Sequence, residues 1–371
     1  MKNKIFNYDF LIVGAGLIGS LAAIALFKKK YRVLVIEKNK AFPVDKRTLA
    51  VNASSRIFLQ NIGIWKHLEK EQESIDKIVI KDSINKDDLI FQNSKESMGS
   101  VIFNRSLLKV SRNFLKKNKL LLYGIDFDSS SIKPKSTVLI KEKKYSFNKI
   151  IISLGKNYND LRSLKRNTFG STHKAYVGFF KHENNHNQTA YEVFTANGPL
   201  AALPSPSINK KISTFIYSTK EKMNLNNISL LIKNNFCISH GKIDLKPTIS
   251  SYTINPHLSQ PTNRDILLMG DTAHSIHPVA GQGWNLGIKD IQALCSCLDN
   301  YNINDLNFDK IYFSKRILVN ISYLTFTNLL NFLYESNQPI SKSIIKISYT
   351  ALTNLPYLKS LFIKQAMGKL I

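Results

Sequence analysis

Residues 267–294 read LLMGDTAHSIHPVAGQGWNLGIKDIQAL. The apolar run over 266–269 has the length and content of a buried strand. It breaks at Gly270-Asp271, passes Pro278 and a glycine pair at Gly281 and Gly283, and enters an amphipathic helix from about Asn285. A carboxylate at a strand end can accept hydrogen bonds from a polyol. The helix that follows offers free N–H groups and the positive end of its dipole to an anionic or electron-rich group. The glycines let the backbone approach a flat ligand. Gly-Asp alone would be an ordinary turn; it is the whole string that carries information.

A second stretch lies near the N-terminus. An apolar strand over 10–13 ends in Gly14-Ala15-Gly16-Leu17-Ile18-Gly19, a helix continues over 21–27, and a β-branched strand over 32–36 ends at Glu37. This is GxGxxG in its full strand–turn–helix–strand setting, the dinucleotide-binding fingerprint. Gly14 permits the tight turn, Gly16 lets a pyrophosphate approach, and Gly19 lets helix and strand pack closely. Glu37 is placed to accept hydrogen bonds from the adenosine ribose. The motif does not choose between NAD and FAD. Its N-terminal position together with the distant Gly-Asp string points to FAD, and with no second GxGxxG a separate nicotinamide domain is not expected.

The string at 270–290 resembles the second FAD motif of the flavin aromatic hydroxylases, GD-x-AH-x-x-x-P-x-x-GQG-x-N-x-G-x-x-D. Gly270, Asp271, Ala273, His274, Pro278, Gly281, Gln282, Gly283, Asn285, Gly287 and Asp290 all match. Asp45-Lys46-Arg47 with Thr48 to Val51 resembles the D-x-R-x-x-AL segment of the ubiquinone-pathway hydroxylases, which implies an arginine, Arg47, near the flavin. At the helix start over 101–108, the resemblance implies a polar side chain offered to the cofactor, Asn104 in best register and Arg105 beside it. One family motif is altered. Where A-D-G-x-x-S-x-x-R is expected, the aspartate position is Leu154, the serine position is Tyr158, and Arg162 comes one residue late. That motif touches the pyrophosphate and is implicated in nicotinamide binding.

Between these blocks, residues 176–181 begin an alternating, sheet-like region. The stretch from His182 to Pro204 reads as strand, turn at Asn197-Gly198-Pro199, and strand. It resembles the H-x-x-x-A-x-E-x-F-x-x-x-GP-x-A-x-LP string of the ubiquinone branch, whose sheet roofs the substrate pocket. Phe194 and Leu203 are expected in the core or pocket wall. A further strand is expected over 212–217 and a helical excursion over 220–235.

The chain has 371 residues, 43% hydrophobic, enough for a sizeable core. Three cysteines without CxxC spacing argue against a disulfide scaffold or zinc site, and no metal is expected. The net charge of +26 is spread along a chain also rich in Asn and Ile. AT-rich coding favours those residue types together, and a role at an anionic membrane surface is the other reading. Nucleic acid is not an expected partner, since no nucleic-acid module is present. No apolar run reaches the roughly 18 residues of a spanning helix, and the N-terminus shows no targeting leader. After Glu335 the chain has no Asp or Glu, while Lys342, Lys346, Lys359, Lys364 and Lys369 alternate with apolar residues in a pattern of helices broken at Pro356. Such a basic amphipathic segment can lie in a membrane interface or pack on the body of the protein.

The resemblance is to the FAD-dependent hydroxylases of ubiquinone biosynthesis, a branch of the aromatic monooxygenases with the para-hydroxybenzoate hydroxylase-like fold. It implies a mixed α/β (α+β) protein: a Rossmann-like FAD-binding domain with an interleaved antiparallel substrate-binding sheet and C-terminal helices. The FAD domain is expected over 1–75, 100–170 and 262–300, the substrate sheet over 76–99 and 171–261, and the helical region over 301–371. The cofactor set is non-covalent FAD, held by Gly14, Gly16, Gly19, Glu37, Arg47, Asn104, Asp271, Pro278, Gly281, Gln282, Gly283 and Asn285. NAD(P)H is the expected reductant and O2, adding at flavin C4a, the oxygen donor. The implied partners are a polyprenylated phenol or quinol intermediate, a membrane surface at the C-terminal region, and other proteins of ubiquinone biosynthesis. The implied location is cytoplasmic, peripheral on the inner membrane. A quinone or prenyl reductase and a non-catalytic FAD-binding accessory protein are the alternatives on the same fold. No catalytic acid or base is assigned; His277 and His186 qualify by residue type alone.

Overall fold

The computed structural model describes residues 4–41, 45, 47–126, 128, 132–156, 164–246, 248–277, 281–336 and 338–370. Among these, the strand runs that read as continuously apolar form one parallel sheet, in the order Ile266–Leu268, Lys143–Ile152, Ile5–Val13, Val33–Glu37, Leu121–Tyr123. Thr137–Ile140 pairs antiparallel with the outer end of Lys143–Ile152. Parallel strands covered on both faces need apolar side chains in both directions. Accordingly Phe10, Leu11 and Ile12, and also Ile150, Ile151 and Ile152, are fully buried. One face packs on helices Leu17–Lys28 and Gln282–Asn300; the other closes over Ile132, Val138 and Phe147.

The glycine turn behaves as its motif requires. Gly14 has φ +98°, and a Cβ there would meet the Ser153 carbonyl oxygen at 2.5 Å. A Cβ on Gly19 would sit 2.1 Å from the Gly14 carbonyl oxygen, so any side chain would push the helix off the strand. Both helices begin earlier than the sequence reading places them, at Leu17 and Gln282.

The second sheet is mostly antiparallel. His173–His182 pairs with Ile212–Thr219, which pairs with Gly198–Pro204, then Thr189–Thr195. Lys77–Asp82, from the early part of the chain, extends this sheet in parallel beside Thr189–Thr195, followed by Leu89–Gln92. The hairpin turn falls at Ala196-Asn197, one step before the sequence reading. Gly198 and Pro199 belong to the second strand, where Gly198 faces Ser218 so closely that a Cβ would lie 2.0 Å from its carbonyl oxygen. The helical excursion is Leu225–His240, packing Ile228, Ile232 and Phe236 against the sheet.

The chain closes with helices Phe308–Glu335, Pro339–Asn354 and Pro356–Ala366. The first has an 18-residue window of mean hydropathy 1.2, which sequence runs alone did not reveal. Its inner face carries Arg316, Asn320, Thr327 and Asn331, all buried against the protein body, so its polar stripe is committed to intramolecular packing.

That stripe holds the central ion cluster. Asp290 Oδ1 accepts from Arg316 Nε at 2.7 Å. Its Oδ2 accepts from His274 Nε2 at 2.8 Å and from the Gly270 N–H at 2.9 Å. Burial pushes the Asp290 pKa up, but the His274 and Arg316 charges and the hydrogen bonds outweigh it, holding the carboxyl below the usual carboxylate range. A depressed folded-state pKa means the stabilisation is complete above the unfolded carboxylate value and is lost as pH falls through the folded one. Asp290→Ala strands the buried Arg316 guanidinium and takes away the partner of His274, and we expect a loss of about 3–5 kcal/mol in urea unfolding at pH 7. The gap between variant and wild type should narrow below about pH 4; a pH-independent gap would show that packing alone is at stake.

Candidate active site: a dinucleotide cleft under an apolar roof

The carboxyl ends of the parallel strands open into a cleft of about 1270 Å3. That exceeds the roughly 300–1,000 Å3 of most small-molecule sites, room for a dinucleotide and a second ligand together.

At one end, the first turn of helix Leu17–Lys28 faces the cleft with Gly16 as its N-cap. A Cβ on Gly16 would find nothing within 4 Å, so the turn presents bare backbone to whatever enters. Glu37 is held next to it. Its Oε2 accepts from the Ala15 N–H at 2.8 Å, its Oε1 from the Asn39 N–H at 3.1 Å, and Arg112 Nη2 stands 3.4 Å from Oε2. Arg112 is buried and also donates from Nε to the Ala15 carbonyl at 2.8 Å. A carboxylate has about four acceptor positions, so Glu37 retains capacity for a ligand hydroxyl. Arg112 was missed in the sequence reading. The signal was there: Asn104, Leu108 and Arg112 recur every four residues on one helix and all line the cleft.

In the middle, Asp271 lines the cleft from the turn after Ile266–Leu268. Asp45, Arg47 and Asn104 form one network. Arg47 grips Asp45 through Nε at 2.9 Å and Nη2 at 2.6 Å, and Asn104 Nδ2 donates to Asp45 Oδ2 at 2.6 Å. The Arg47 guanidinium lies 4.6 Å from the centroid of the Tyr252 ring, on a strand that pairs with His173–His182 of the second sheet.

At the far end, Gly281 and Gly283 line the cleft at the start of helix Gln282–Asn300. Pro278 lies outside the described residues, as do Tyr158 and Arg162. Among the described residues, Gly19, Gln282 and Asn285 do not line the cleft. Asn285 braces the loop: Nδ2 donates to the Ala50 and Gly281 carbonyls, and Oδ1 accepts from the Asn52 N–H at 3.1 Å. Above this end the roof is apolar, made by Ala175, Val177, Leu203 and Ile216 of the second sheet with Ile276 and Trp284 below. Phe194 is core, stacked 4.3 Å from Tyr334.

The histidines divide by position. His274 reaches the cleft lining but spends Nε2 on Asp290. His277 is buried against His173, with ring centroids 4.3 Å apart. Burial first, then His173 and Lys220, push its pKa down to about 3. His186 sits in a separate cluster with His182, outside the cleft lining, and burial followed by His182 and Lys210 lowers it to about 4. Leu154, at the altered motif, packs against the lower core, and its N–H is taken by Thr272 Oγ1 at 2.9 Å. Among the described residues no His/Cys/Asp/Glu cluster could hold a metal ion.

A bare glycine turn, a carboxylate at the end of the second strand, a second carboxylate in the turn after Ile266–Leu268 and a glycine-capped helix together define a flavin-binding α/β protein. The FAD binding domain family model matches residues 7–104 and 207–301, more than half of the chain, and the chain belongs to that family. Over 98% of its length it is 25% identical to ubiquinone hydroxylase UbiL of Rhodospirillum rubrum, covering 90% of that protein. It is 24% identical, over 98% of the chain and 90% of the relative, to the mitochondrial ubiquinone biosynthesis monooxygenase COQ6 of Drosophila melanogaster. Its fold matches p-nitrophenol 4-monooxygenase PnpA from Pseudomonas putida with a TM-score of 0.74 at 14% identity, covering 98% of this chain and 99% of that one. The chain is an FAD-dependent monooxygenase of mixed α/β architecture.

Glu37→Ala and Asp271→Ala should each weaken FAD retention. One hydrogen bond to a charged group contributes roughly 1.5–3 kcal/mol, about a ten- to hundredfold change in affinity. Equilibrium titration of deflavinated protein reads this directly; wild-type affinity in both variants would remove these carboxylates from the cofactor site.

Proposed function

We propose that this monooxygenase hydroxylates the aromatic ring of a polyprenylated phenol in ubiquinone biosynthesis, using NAD(P)H and O2. The observation that carries this is the continuity of the cleft: a polar dinucleotide trough runs into an apolar chamber roofed by Ala175, Val177, Leu203 and Ile216. The names of the full-length relatives supply the substrate class.

Each part of the cleft has a role in this reading. The backbone at Gly14 and Gly16, with the N-terminus of its helix, takes the FAD pyrophosphate. Glu37, steadied by Arg112, takes the adenosine ribose, and Asp271 the ribityl chain. Gly281 and Gly283 border the ring system, where the dipole of helix Gln282–Asn300 favours negative charge. Arg47 and Asn104 flank the same region through Asp45. Bound FAD supplies two-electron reduction by NAD(P)H and activation of O2. The roof residues exclude water and set the phenol flat against the cofactor. The balance is phenol, O2, NAD(P)H and a proton giving hydroxylated phenol, NAD(P)+ and water.

The membrane is the second part of the proposal. The last helices turn one face inward: Tyr349, Leu352, Phe362 and Ile363 pack on the body, and Met367 is buried. The other face carries Ile340, Ile347 and Tyr357, each at least 70% exposed, among Lys342, Lys346 and Lys359. Apolar side chains flanked by lysines, with no acid after Glu335, suit an anionic lipid surface, where each lysine adds roughly 1 kcal/mol. A bilayer-dissolved substrate would then meet the protein where it resides.

Two outcomes are expected. Purified protein releases FAD on heat precipitation, and NAD(P)H oxidation is stimulated by a short-chain prenylphenol with 18O from 18O2 in the product; unlabelled product or purely uncoupled oxidation would refute ring oxygenation. In flotation, the protein rises with vesicles of anionic but not neutral lipid, and Ile340→Ser with Ile347→Ser loses this without loss of bound FAD. Deleting residues 336–371 is the poorer test, because it removes Met367 from the core. Salt-insensitive or absent flotation of the wild type would refute the docking.

A further inference from the structure

We propose that the C-terminal tail is a positioning element of the cofactor site: Met367 and Gly368, acting through Asn52, Lys289 and Asn285, set the Gly281 turn at the start of helix Gln282–Asn300. This rests on the flavoprotein reading above and adds residues which that reading does not use.

The tail ends in a defined local structure. Gly368 closes helix Pro356–Ala366 at φ +73°, its N–H on the Gln365 carbonyl at 2.9 Å and the Lys369 N–H on the Lys364 carbonyl at 2.8 Å. This is a Schellman end; it satisfies two of the last carbonyls and leaves the negative end of the helix dipole to a donor from elsewhere. Lys289, buried on helix Gln282–Asn300, donates from Nζ to the Gly368 carbonyl at 3.2 Å. Burial first, and then the Arg316 charge, lower the pKa of this ammonium, so a carbonyl at a helix end is a favourable partner for it. On the other side, the Met367 carbonyl accepts from the Ser54 N–H at 3.0 Å. The tail is thus tied to two elements at once, the helix that carries the Gly281 turn and the chain that follows strand Thr48–Asn52.

That strand is a wall of the cleft. Thr48, Leu49 and Ala50 line it, and Asn52 lies behind it. Asn52 Oδ1 caps helix Ala53–Asn61 by accepting from the Ser55 N–H at 2.9 Å. The tail backbone is seated on this capped amide: a Cβ on Gly368 would lie 2.6 Å from Asn52 Nδ2 and 3.0 Å from its Cγ. From there the path to the cofactor loop is short. The Asn52 N–H donates to Asn285 Oδ1 at 3.1 Å, and Asn285 Nδ2 donates to the Ala50 carbonyl at 2.8 Å and the Gly281 carbonyl at 3.2 Å. Gly281, at φ +64°, leaves no slack either, since a Cβ there would meet the Ala50 Cβ at 2.9 Å. Asn52 and Asn285 are both buried. Close-packed interiors transmit strain rather than absorb it. A shift of the tail therefore reaches the gap between Ala50 and Gly281, beside the cofactor ring in the reading above.

The full chain loaded with FAD tests this in four forms: wild type, Gly368→Ala, Gly368→Ala with Asn52→Ser, and Lys289→Met. Visible circular dichroism of the bound flavin reads the surroundings of the ring. Product formed per NAD(P)H consumed, with a short-chain prenylphenol, reads the geometry of oxygen transfer, and urea unfolding reads stability. Gly368→Ala drives a methyl group into Asn52, and Lys289→Met releases the tail from the helix. Both should change the flavin dichroism and lower product per NAD(P)H, by about tenfold for a misplacement approaching 1 Å. Asn52→Ser keeps a capping oxygen and makes room. The double variant should therefore recover wild-type dichroism and coupling while keeping the stability loss of an alanine at positive φ. Lowered stability with wild-type dichroism and coupling in both Gly368→Ala and Lys289→Met overturns the inference and leaves the flavoprotein reading standing, and so does a double variant that recovers neither. If Gly368→Ala does not fold, Lys289→Met decides alone. A wild type that takes up no FAD overturns the flavoprotein reading, and the inference with it.

Discussion

The Asp290 carboxylate is the point on which the site depends. It receives three donors from three separate pieces of chain: Arg316 from the first C-terminal helix, His274 from the loop, and the Gly270 N–H from the turn. A fully buried carboxylate is costly unless every lone pair is engaged. Here the cost is offset by bonds that also set position. The Gly270 bond fixes the turn that aims Asp271 into the cleft, and the Arg316 bond fixes a long helix across the back of the flavin domain. A close fit of Gly287 against Ile18, where a Cβ would meet the Ile18 side chain at 2.7 Å, draws the two helices of the cleft together.

With those helices fixed, the second sheet has one place to go. Its strand His173–His182 and the neighbouring Ile212–Thr219 lie over the cleft mouth, and their alternation sends Ala175, Val177 and Ile216 down into it. The opposite face receives helix Leu225–His240. Period-two alternation thus separates a ligand-facing side from a core-facing side. Polar side chains buried in such a roof would each need a hydrogen-bond partner of their own.

The sequence carried the parallel sheet and both glycine turns because those features are local. GAGLIG and GDTAH each demand a particular backbone path within a few residues, and the sequence states it outright. The hairpin turn was misplaced by one step, since Asn197-Gly198-Pro199 is good turn chemistry and the closeness of Ser218 to Gly198 is a tertiary fact. Arg112 and Tyr252 were not read because each reaches the site from a distant element, and only the helix spacing 104, 108, 112 hinted at the first. Asn285 matched the motif as a cofactor residue, yet its amide and carbonyl are spent holding residues 50, 52 and 281 together. A motif records which residues matter; it does not separate those that touch a ligand from those that hold the ones that do.

The C-terminal helices show why a composition argument needed the coordinates. Read as sequence, an acid-free, lysine-rich apolar segment has two exclusive fates, packing or docking. In the folded chain one face packs on the body and the opposite face is left exposed. Ser54 N–H bonds the Met367 carbonyl at 3.0 Å and Lys289 Nζ bonds the Gly368 carbonyl at 3.2 Å, pinning the tail beside helix Ala53–Asn61. Pinning one face fixes the direction in which the other looks. Ile340, Ile347 and Tyr357 are therefore held outward by the packing of Leu352, Phe362 and Met367 inward. For the membrane docking proposed above, such a face is preorganised: its apolar side chains require no folding on arrival, so less ordering entropy opposes binding than for a segment that becomes helical only at the membrane.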